Sequence, residues 1–237
     1  MSGPDAGPVD LVIPARNEQA NIPALLAALP PAGLRHVVVA DNGSTDRTAD
    51  LARAGGAVVV HEPQHGYGAA CLAALRWIAE QDAPPIAVAF LDADLSDDPA
   101  TLPRLWQPVL ADEADLVLSD RTGHAERGAL EPHQRFGTRL ACTLLRWTTG
   151  RRYRDLGPMR VVRWTSLQRL AMADRTWGWT VEMQFKAARQ GLRIREVEVD
   201  YRRRRAGTSK ISGSLVGSAK AGWKILATII ALRLQRT

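Results

Sequence analysis

Two aspartates one residue apart, Asp92 and Asp94 in the stretch LDADLSDDP, are the most chemically pointed residues of the chain. They follow directly on an apolar run. Two carboxylates at this spacing suit a hard divalent cation, which prefers oxygen ligands. Mg²⁺ retains waters and bridges to substrate phosphates, and Mn²⁺ accepts similar donors. A plain helix cap accounts for Asp98 before Pro99, but not for Asp92 and Asp94. A second stretch, VVVADNGSTDRTAD, carries an apolar run to Ala40 and then delivers Asp41, Asn42, Gly43 and Ser44. Asp or Asn at such a point can bond a base or ribose hydroxyls, while Ser44 or Thr45 reads as a helix start. In a third, VIPARNE, Pro14 and Glu18 flank the exit of the first apolar run, and Glu18 equally suits the first turn of a helix.

The elements that must position these residues alternate. Apolar runs at Val9 to Ile13, Val37 to Ala40, Ala57 to Val60 and Ile86 to Leu91 read as strands. Helix-like stretches at Gln19 to Leu29, Thr45 to Ala54 and Gly68 to Glu80 lie between them. Near-continuous Val, Ile and Leu between helices predicts a parallel sheet covered on both faces, an α/β doubly wound pattern. Such sheets bind ligands beyond the carboxyl ends of their strands, where all three stretches fall. The second half is less regular. It predicts a strand at Asp115 to Ser119, a helix at Gln134 to Thr149 and an extended segment at Asp155 to Val162 bent at Gly157 and Pro158. A helix at Val181 to Gln190 closed by Gly191, an exposed strand at Leu192 to Tyr201 and a helix at Leu215 to Leu234 follow.

Taken together, the stretches resemble the GT-A fold glycosyltransferases of family 2. VIPARNE resembles the family's P-x-x-N-E opening, VVVADNGSTDRT its V-D-D-G-S-x-D-x-T, HGYGAA its G-x-G-x-A and LDADL its D-A-D. DLGPMR and RRRRAGTSK resemble later motifs of the branch that holds polyprenyl-phosphate mannose and glucose synthases. The resemblance implies a mostly parallel central sheet flanked by helices, a nucleotide-sugar donor such as UDP-glucose or GDP-mannose, and bound Mg²⁺ or Mn²⁺. It places Pro14, Arg16, Glu18, Ala40 and Asn42 around the base and ribose. Asp92, Ala93 and Asp94 would line the diphosphate, with Asp94 the better metal ligand. Arg121 would approach a phosphate, Asp155 the sugar, and Gln134, Arg135 and Arg139 the acceptor. Arg205, Ser209 and Lys210 would approach phosphate. Three departures stand out: Asn42 replaces an Asp, Arg16 an aromatic residue, and Tyr67 a basic residue.

Glu182, in WGWTVEMQ, has two readings. Apolar neighbours would desolvate its carboxylate and make it a better base for an alcohol acceptor. It also suits the first turn of a helix. Trp177 and Trp179 read as a sugar or lipid platform, or as packing.

The chain of 237 residues has a net charge of +6. From Arg193 to Thr237 there are eleven Lys or Arg against three acids, so the excess gathers at that end. Such a cluster suits an anionic partner. The residues are expected to form a glycosyltransferase domain over 1–210 and an amphipathic helix over 211–237. On that helix Ala219, Trp223, Leu226 and Ile230 share one face, and Lys220 and Lys224 lie on another. It would rest on an anionic membrane surface or pack on the domain or a second subunit. No apolar run reaches the roughly 20 residues of a spanning helix, and the first ten residues do not resemble a secretory signal. A cytoplasmic enzyme, peripheral at the inner membrane face, is the expectation, with a polyprenyl phosphate acceptor. A soluble acceptor is the alternative, and a basic nucleic-acid-binding protein the alternative of another class. The two cysteines, Cys71 and Cys142, are expected to be free and buried.

Overall fold

A computed structural model describes residues 8–126, 128–130, 132–206 and 215–234, the last segment only as backbone up to residue 222. Seven strands form one sheet: β1 (Val9–Ala15), β2 (Leu34–Asp41), β3 (Val58–His61), β4 (Ala87–Phe90), β5 (Leu116–Asp120), β6 (Arg160–Arg163) and β7 (Ile194–Glu198). Their order is β3-β2-β1-β4-β6-β5-β7. All neighbouring pairs are parallel except those of β6, which runs antiparallel to both β4 and β5. The eight α-helices among the described residues are α1 (Ile22–Ala27), α2 (Thr48–Ala54), α3 (Tyr67–Ala79), α4 (Leu102–Leu110), α5 (Pro132–Thr149), α6 (Trp164–Leu170), α7 (Trp179–Arg189) and α8 (Leu215–Leu234).

The apolar strands are buried on both faces because alternate residues enter different cores. In β1, Val12 joins a cluster with α3, α5, α6, α7 and α8, whereas Leu11 and Ile13 join one with α1, α2 and α4. Cys71 and Cys142 are free and buried in the first of these. β7 lies at an edge and carries Arg195, Glu196 and Glu198, charges that discourage pairing with another chain.

The reversed strand decides where the site forms. Phe90, at the carboxyl end of β4, pairs with Arg160, at the start of β6. The residues entering β6 therefore share an edge with those leaving β1, β2, β4 and β5. This is how Asp155 meets Arg121, and the sequence alone did not reveal it.

Several boundaries differ from expectation. Residues 45–47 form a loop rather than the start of α2, since Thr45 is bonded to Asn17 and Asp46 caps Thr48. The 155–162 segment is a strand only from Arg160. Helices α4 and α6 were not anticipated. Pro103 and Pro108 obscure the first, whose Leu102, Leu105, Trp106 and Val109 are nonetheless buried on one side. Asp98 does cap the turn at Pro99, accepting from the Ala100 amide. Helix α8 packs on α5 and α7 through Ile225, Ile229 and Leu232. Trp223 and Ile230, placed from sequence together on one apolar face, are exposed on the other side of the helix. The helix is thus apolar on two faces. Among the described residues, no helix is long and apolar enough to cross a membrane.

Candidate active site

The acid pair stands just past β4. The Asp92 carboxylate accepts the Tyr67 hydroxyl at 3.1 Å through Oδ1. Burial first, and the neighbouring Asp94 second, raise its pKa to about 6, against the lowering pull of Tyr67. The turn that follows is tight, with Leu95 in the left-handed region at φ +60°, and it folds the Ser96 amide back onto Asp94 at 2.9 Å. The second Asp94 oxygen meets the Arg204 guanidinium at 2.9 Å. The same guanidinium reaches Glu18 at 3.0 Å. Burial alone would lower the Arg204 pKa, but Asp94 and Glu18 outweigh it and raise it.

Two carboxylates fit a divalent cation of the Mg²⁺ or Mn²⁺ kind, which takes one or two carboxylates and completes its shell with water and substrate phosphates. No cluster of three or more His, Cys, Asp or Glu suited to a metal occurs among the described residues, so a closed protein-only cage is not what this edge offers. That a guanidinium bridges Asp94 and Glu18 shows the edge already accommodates positive charge.

The segment after β7 supplies that guanidinium. Its Val199 amide bonds Asp120, Tyr201 bridges to Asp97 and Ala125, and the Arg202 amide bonds Ser96 at 2.8 Å. Running across the acid loop, it sets Arg204 inward and leaves Arg205 exposed. Arg205, expected near a phosphate, has its backbone amide 3.4 Å from the Asp94 carbonyl and its side chain exposed, while the side chain that reaches the acids is that of Arg204. Four consecutive arginines gave no basis for choosing among them. Ser209 and Lys210, and the 210/211 boundary, lie outside the described residues.

Arg121 and Asp155 form a buried bidentate pair, Nε to Oδ2 at 2.7 Å and Nη2 to Oδ1 at 2.9 Å. Burial would raise the Asp155 pKa, but the charge and hydrogen bonds of Arg121 prevail and hold it below the usual carboxylate value. The Arg121 guanidinium also lies over the Tyr201 ring, 4.9 Å from its centroid. Close by is Asp97, 1% exposed, with neither carboxylate oxygen hydrogen-bonded among the described residues. Burial raises its pKa to about 8 against the pull of Arg121. Neither Asp97 nor Tyr201 was singled out from sequence, since their surroundings come from three distant segments.

Beside this pair opens a cavity of about 600 Å³ lined by Arg135, Arg139, Arg152, Arg154, Tyr153 and Asp155. Arg135 and Arg139 also line a second cavity with Phe136. Gln134 is half-buried in the first turn of the same helix. Phe136, Leu140 and Trp147 are exposed on one face of α5, as are Trp223, Ile230 and Leu234 on α8, which packs against it. Six exposed large apolar side chains on two adjacent helices are more than scattered surface residues.

Other expected residues take supporting places. Asn42 spends its amide on the 62–66 loop, donating to the Glu62 and Gln64 carbonyls and accepting from the Gly66 amide at 2.7 Å. Ala40 is fully buried in the core, and Ala93 nearly so, so their side chains do not line a ligand surface. Pro14 is half-buried within β1 and Arg16 exposed just beyond it. Glu18 is buried and accepts from Asn21 at 2.7 Å besides Arg204. Glu182 is occupied elsewhere. Its carboxylate accepts the Ala173 amide at 3.0 Å and the Asp174 amide at 2.8 Å, and meets Lys186 at 2.7 Å. A carboxylate so engaged ties down the loop before α7, the helix-start reading rather than that of a free base. Trp179 is fully buried packing against Phe90, whereas Trp177 is half-buried against Tyr67.

The family model for glycosyl transferase family 2 matches residues 10–170. An uncharacterised glycosyltransferase of Mycobacterium tuberculosis is 40% identical over 226 residues, covering 92% of this chain and 98% of its own. The undecaprenyl-phosphate mannosyltransferase of Micrococcus luteus is 33% identical over 220 residues, covering 88% and 89%. Among solved structures, glucosyl-3-phosphoglycerate synthase from Mycobacterium tuberculosis, in complex with Mn²⁺, UDP and glucosyl-3-phosphoglycerate, superposes with a TM-score of 0.71. It is 23% identical, over 94% of this chain and 78% of its own, a likeness of fold. The sheet described above is a GT-A sheet.

Proposed function

The chain belongs to glycosyltransferase family 2, and from that premise we propose that it moves a hexose from a nucleotide-sugar, UDP-glucose or GDP-mannose, to a polyprenyl phosphate at a membrane surface. The observation that carries the acceptor is the arginine-lined cavity beside Arg121 and Asp155, whose Arg135 and Arg139 adjoin the exposed apolar face of α5. A phosphate suits the arginines and an isoprenoid tail suits Phe136, Leu140 and Trp147. The activity named for the Micrococcus luteus relative supports the same class of acceptor.

The engagement of Glu182 by the Ala173 and Asp174 amides and Lys186 fits a phosphate acceptor, which needs no general base. Its oxygen is already anionic, so it attacks the sugar C1 without losing a proton. The new C1–O bond forms as the bond to the leaving diphosphate breaks, and the electron pair departs with the nucleoside diphosphate. Asp92 and Asp94 would hold Mg²⁺ or Mn²⁺, which neutralises charge on that leaving group when bound. Arg204, which contacts Asp94 and Glu18, would supply a second positive charge to the diphosphate. Asp155, fixed by Arg121, presents its edge to the sugar. Arg135 and Arg139 orient the acceptor phosphate. Trp223, Ile230 and Leu234, with the nearby arginines, rest on the membrane. On this reading Trp223, Ile230 and Leu234 of α8 dock on lipid and the sheet with its other helices is the catalytic domain.

Transfer of radiolabel tests the reading. Labelled UDP-glucose and GDP-mannose are each incubated with Mn²⁺ or Mg²⁺ and either polyprenyl phosphate in phosphatidylglycerol vesicles or 3-phosphoglycerate. Label from one donor should enter the organic phase with the lipid acceptor, and chelator should stop it. Label appearing only in a water-soluble product would replace the lipid acceptor by a small phosphate. Metal-independent transfer would remove the role of Asp92 and Asp94.

A further inference from the structure

Tyr67 lies against the acid pair yet has no part in the chemistry so far. Its hydroxyl donates to Asp92 Oδ1 at 3.1 Å. A phenol keeps its proton at neutral pH, so against a carboxylate it is the donor. Its ring lies 6.3 Å from that of Trp177, the planes tilted by 31°. The backbone on either side is gripped as well. The Gly68 amide bonds the Thr176 carbonyl at 3.2 Å and the Ala69 amide the Arg175 carbonyl at 2.9 Å. A Cβ on Gly66, which has φ +150°, would collide with the Arg175 carbonyl, and one on Gly68 with that of Asp174. The 173–178 loop is itself pinned. Glu182 accepts the Ala173 and Asp174 amides, and the Asp174 carboxylate meets Lys224 at 3.1 Å and Thr228 at 3.4 Å on α8. The Tyr67 side chain is thus held between this loop and a carboxylate of the acid pair.

We propose that Tyr67 is a positioning residue for the transfer: its hydroxyl holds one oxygen of Asp92 so that the other is presented to the cation of the donor diphosphate. The inference rests on the reading of Asp92 and Asp94 as the metal pair. A carboxylate hydrogen-bonded through one oxygen loses its rotational freedom, and such outer partners of a metal ligand set its affinity. Glu182 then acts at a distance, by holding the loop on which Tyr67 rests. Seating of α8 reaches the acid pair by the same route, through Asp174.

The test is Mn²⁺ binding by wild type, Tyr67→Phe and Asp94→Asn, alone and with UDP or GDP. Bound ion is read as loss of the free-Mn²⁺ electron paramagnetic resonance signal beyond a protein-free control. Tyr67→Phe keeps the ring on Trp177 and should melt with wild type. It should bind Mn²⁺ about tenfold more weakly. In turnover, the Mn²⁺ concentration giving half-maximal rate should rise by the same factor, with kcat restored at saturating Mn²⁺. Asp94→Asn should lose binding. If Asp94→Asn loses Mn²⁺ while Tyr67→Phe binds it as wild type does, Tyr67 positions nothing. If wild type and Asp94→Asn bind alike, the metal pair itself is wrong and the inference falls with it.

Discussion

Removing Asp155 should do more than weaken catalysis. The Arg121 side chain is 11% exposed and that of Asp155 2%, so water screens their contact little. Asp155→Ala would leave the guanidinium buried without its two hydrogen bonds to the carboxylate. It would also orphan the Arg121 and Leu156 amides, which donate to Asp155 at 3.1 and 2.8 Å. Breaking a buried pair from one side costs about 3–5 kcal/mol. Each orphaned amide adds roughly 1 kcal/mol. The loss is a large share of the roughly 5–15 kcal/mol that holds a domain folded. The double change Arg121→Met, Asp155→Leu removes both desolvation penalties together. It should fall within about 2 kcal/mol of wild type, the remainder reflecting the two amides. Urea unfolding followed by tryptophan fluorescence measures the three stabilities, and donor turnover is assayed in parallel. The double variant should be folded and inactive, which separates the pair's structural part from its chemical one. Two results would refute the reasoning. Asp155→Ala within 1 kcal/mol of wild type would mean that the pair is not closed from water. A double variant that retains turnover would mean that the pair only holds the fold.

The remaining predictions concern the acids around it. Arg204→Ala should tighten Mn²⁺ binding in the absence of nucleotide, because Asp94 loses its internal cation, yet weaken donor binding several-fold; isothermal titration with each ligand reads both signs, and a parallel loss of both affinities would refute this account of Arg204. Burial raises the Asp97 pKa from the ordinary carboxylate value of 3.8 to about 8, so over that interval the folded state holds a proton that the unfolded state has released. Stability should therefore decline as pH rises from about 4 to about 8 and level off above. Asp97→Asn abolishes that decline, so its advantage over wild type grows across the same window; urea midpoints in chelator at pH 5 and pH 8 with an unchanged difference would show that Asp97 is not desolvated.

The comparison between sequence and structure divides along lines of locality. Continuous apolar runs and the helix-like stretches between them are local, and they marked β1 to β4 and α3 because a strand covered on both faces must be apolar throughout. The D-x-D spacing is local too: a strand end puts both carboxylates at the binding edge wherever the rest of the chain goes. Helix α4 escaped because two prolines hide an amphipathic pattern, and only burial of Leu105 and Trp106 reveals it. The reversal of β6 was invisible because direction within a sheet is decided by pairing partners far away in the chain. That reversal brings Asp155 to Arg121, 34 positions apart. Similarly, strand and helix periods say nothing about which of four consecutive arginines turns inward. The choice of Arg204 follows from the bonds of Val199, Tyr201 and Arg202 to segments more than 70 residues upstream. Glu182 was legible as a first-turn acid, but the amides that claim its carboxylate belong to a loop whose path only packing fixes. What the sequence determined by itself was the kind of sheet, the edge at which ligands meet it and the acid pair placed there. Tertiary structure decided which charges face one another across that edge, because charge pairing depends on distances between segments that a linear order does not contain.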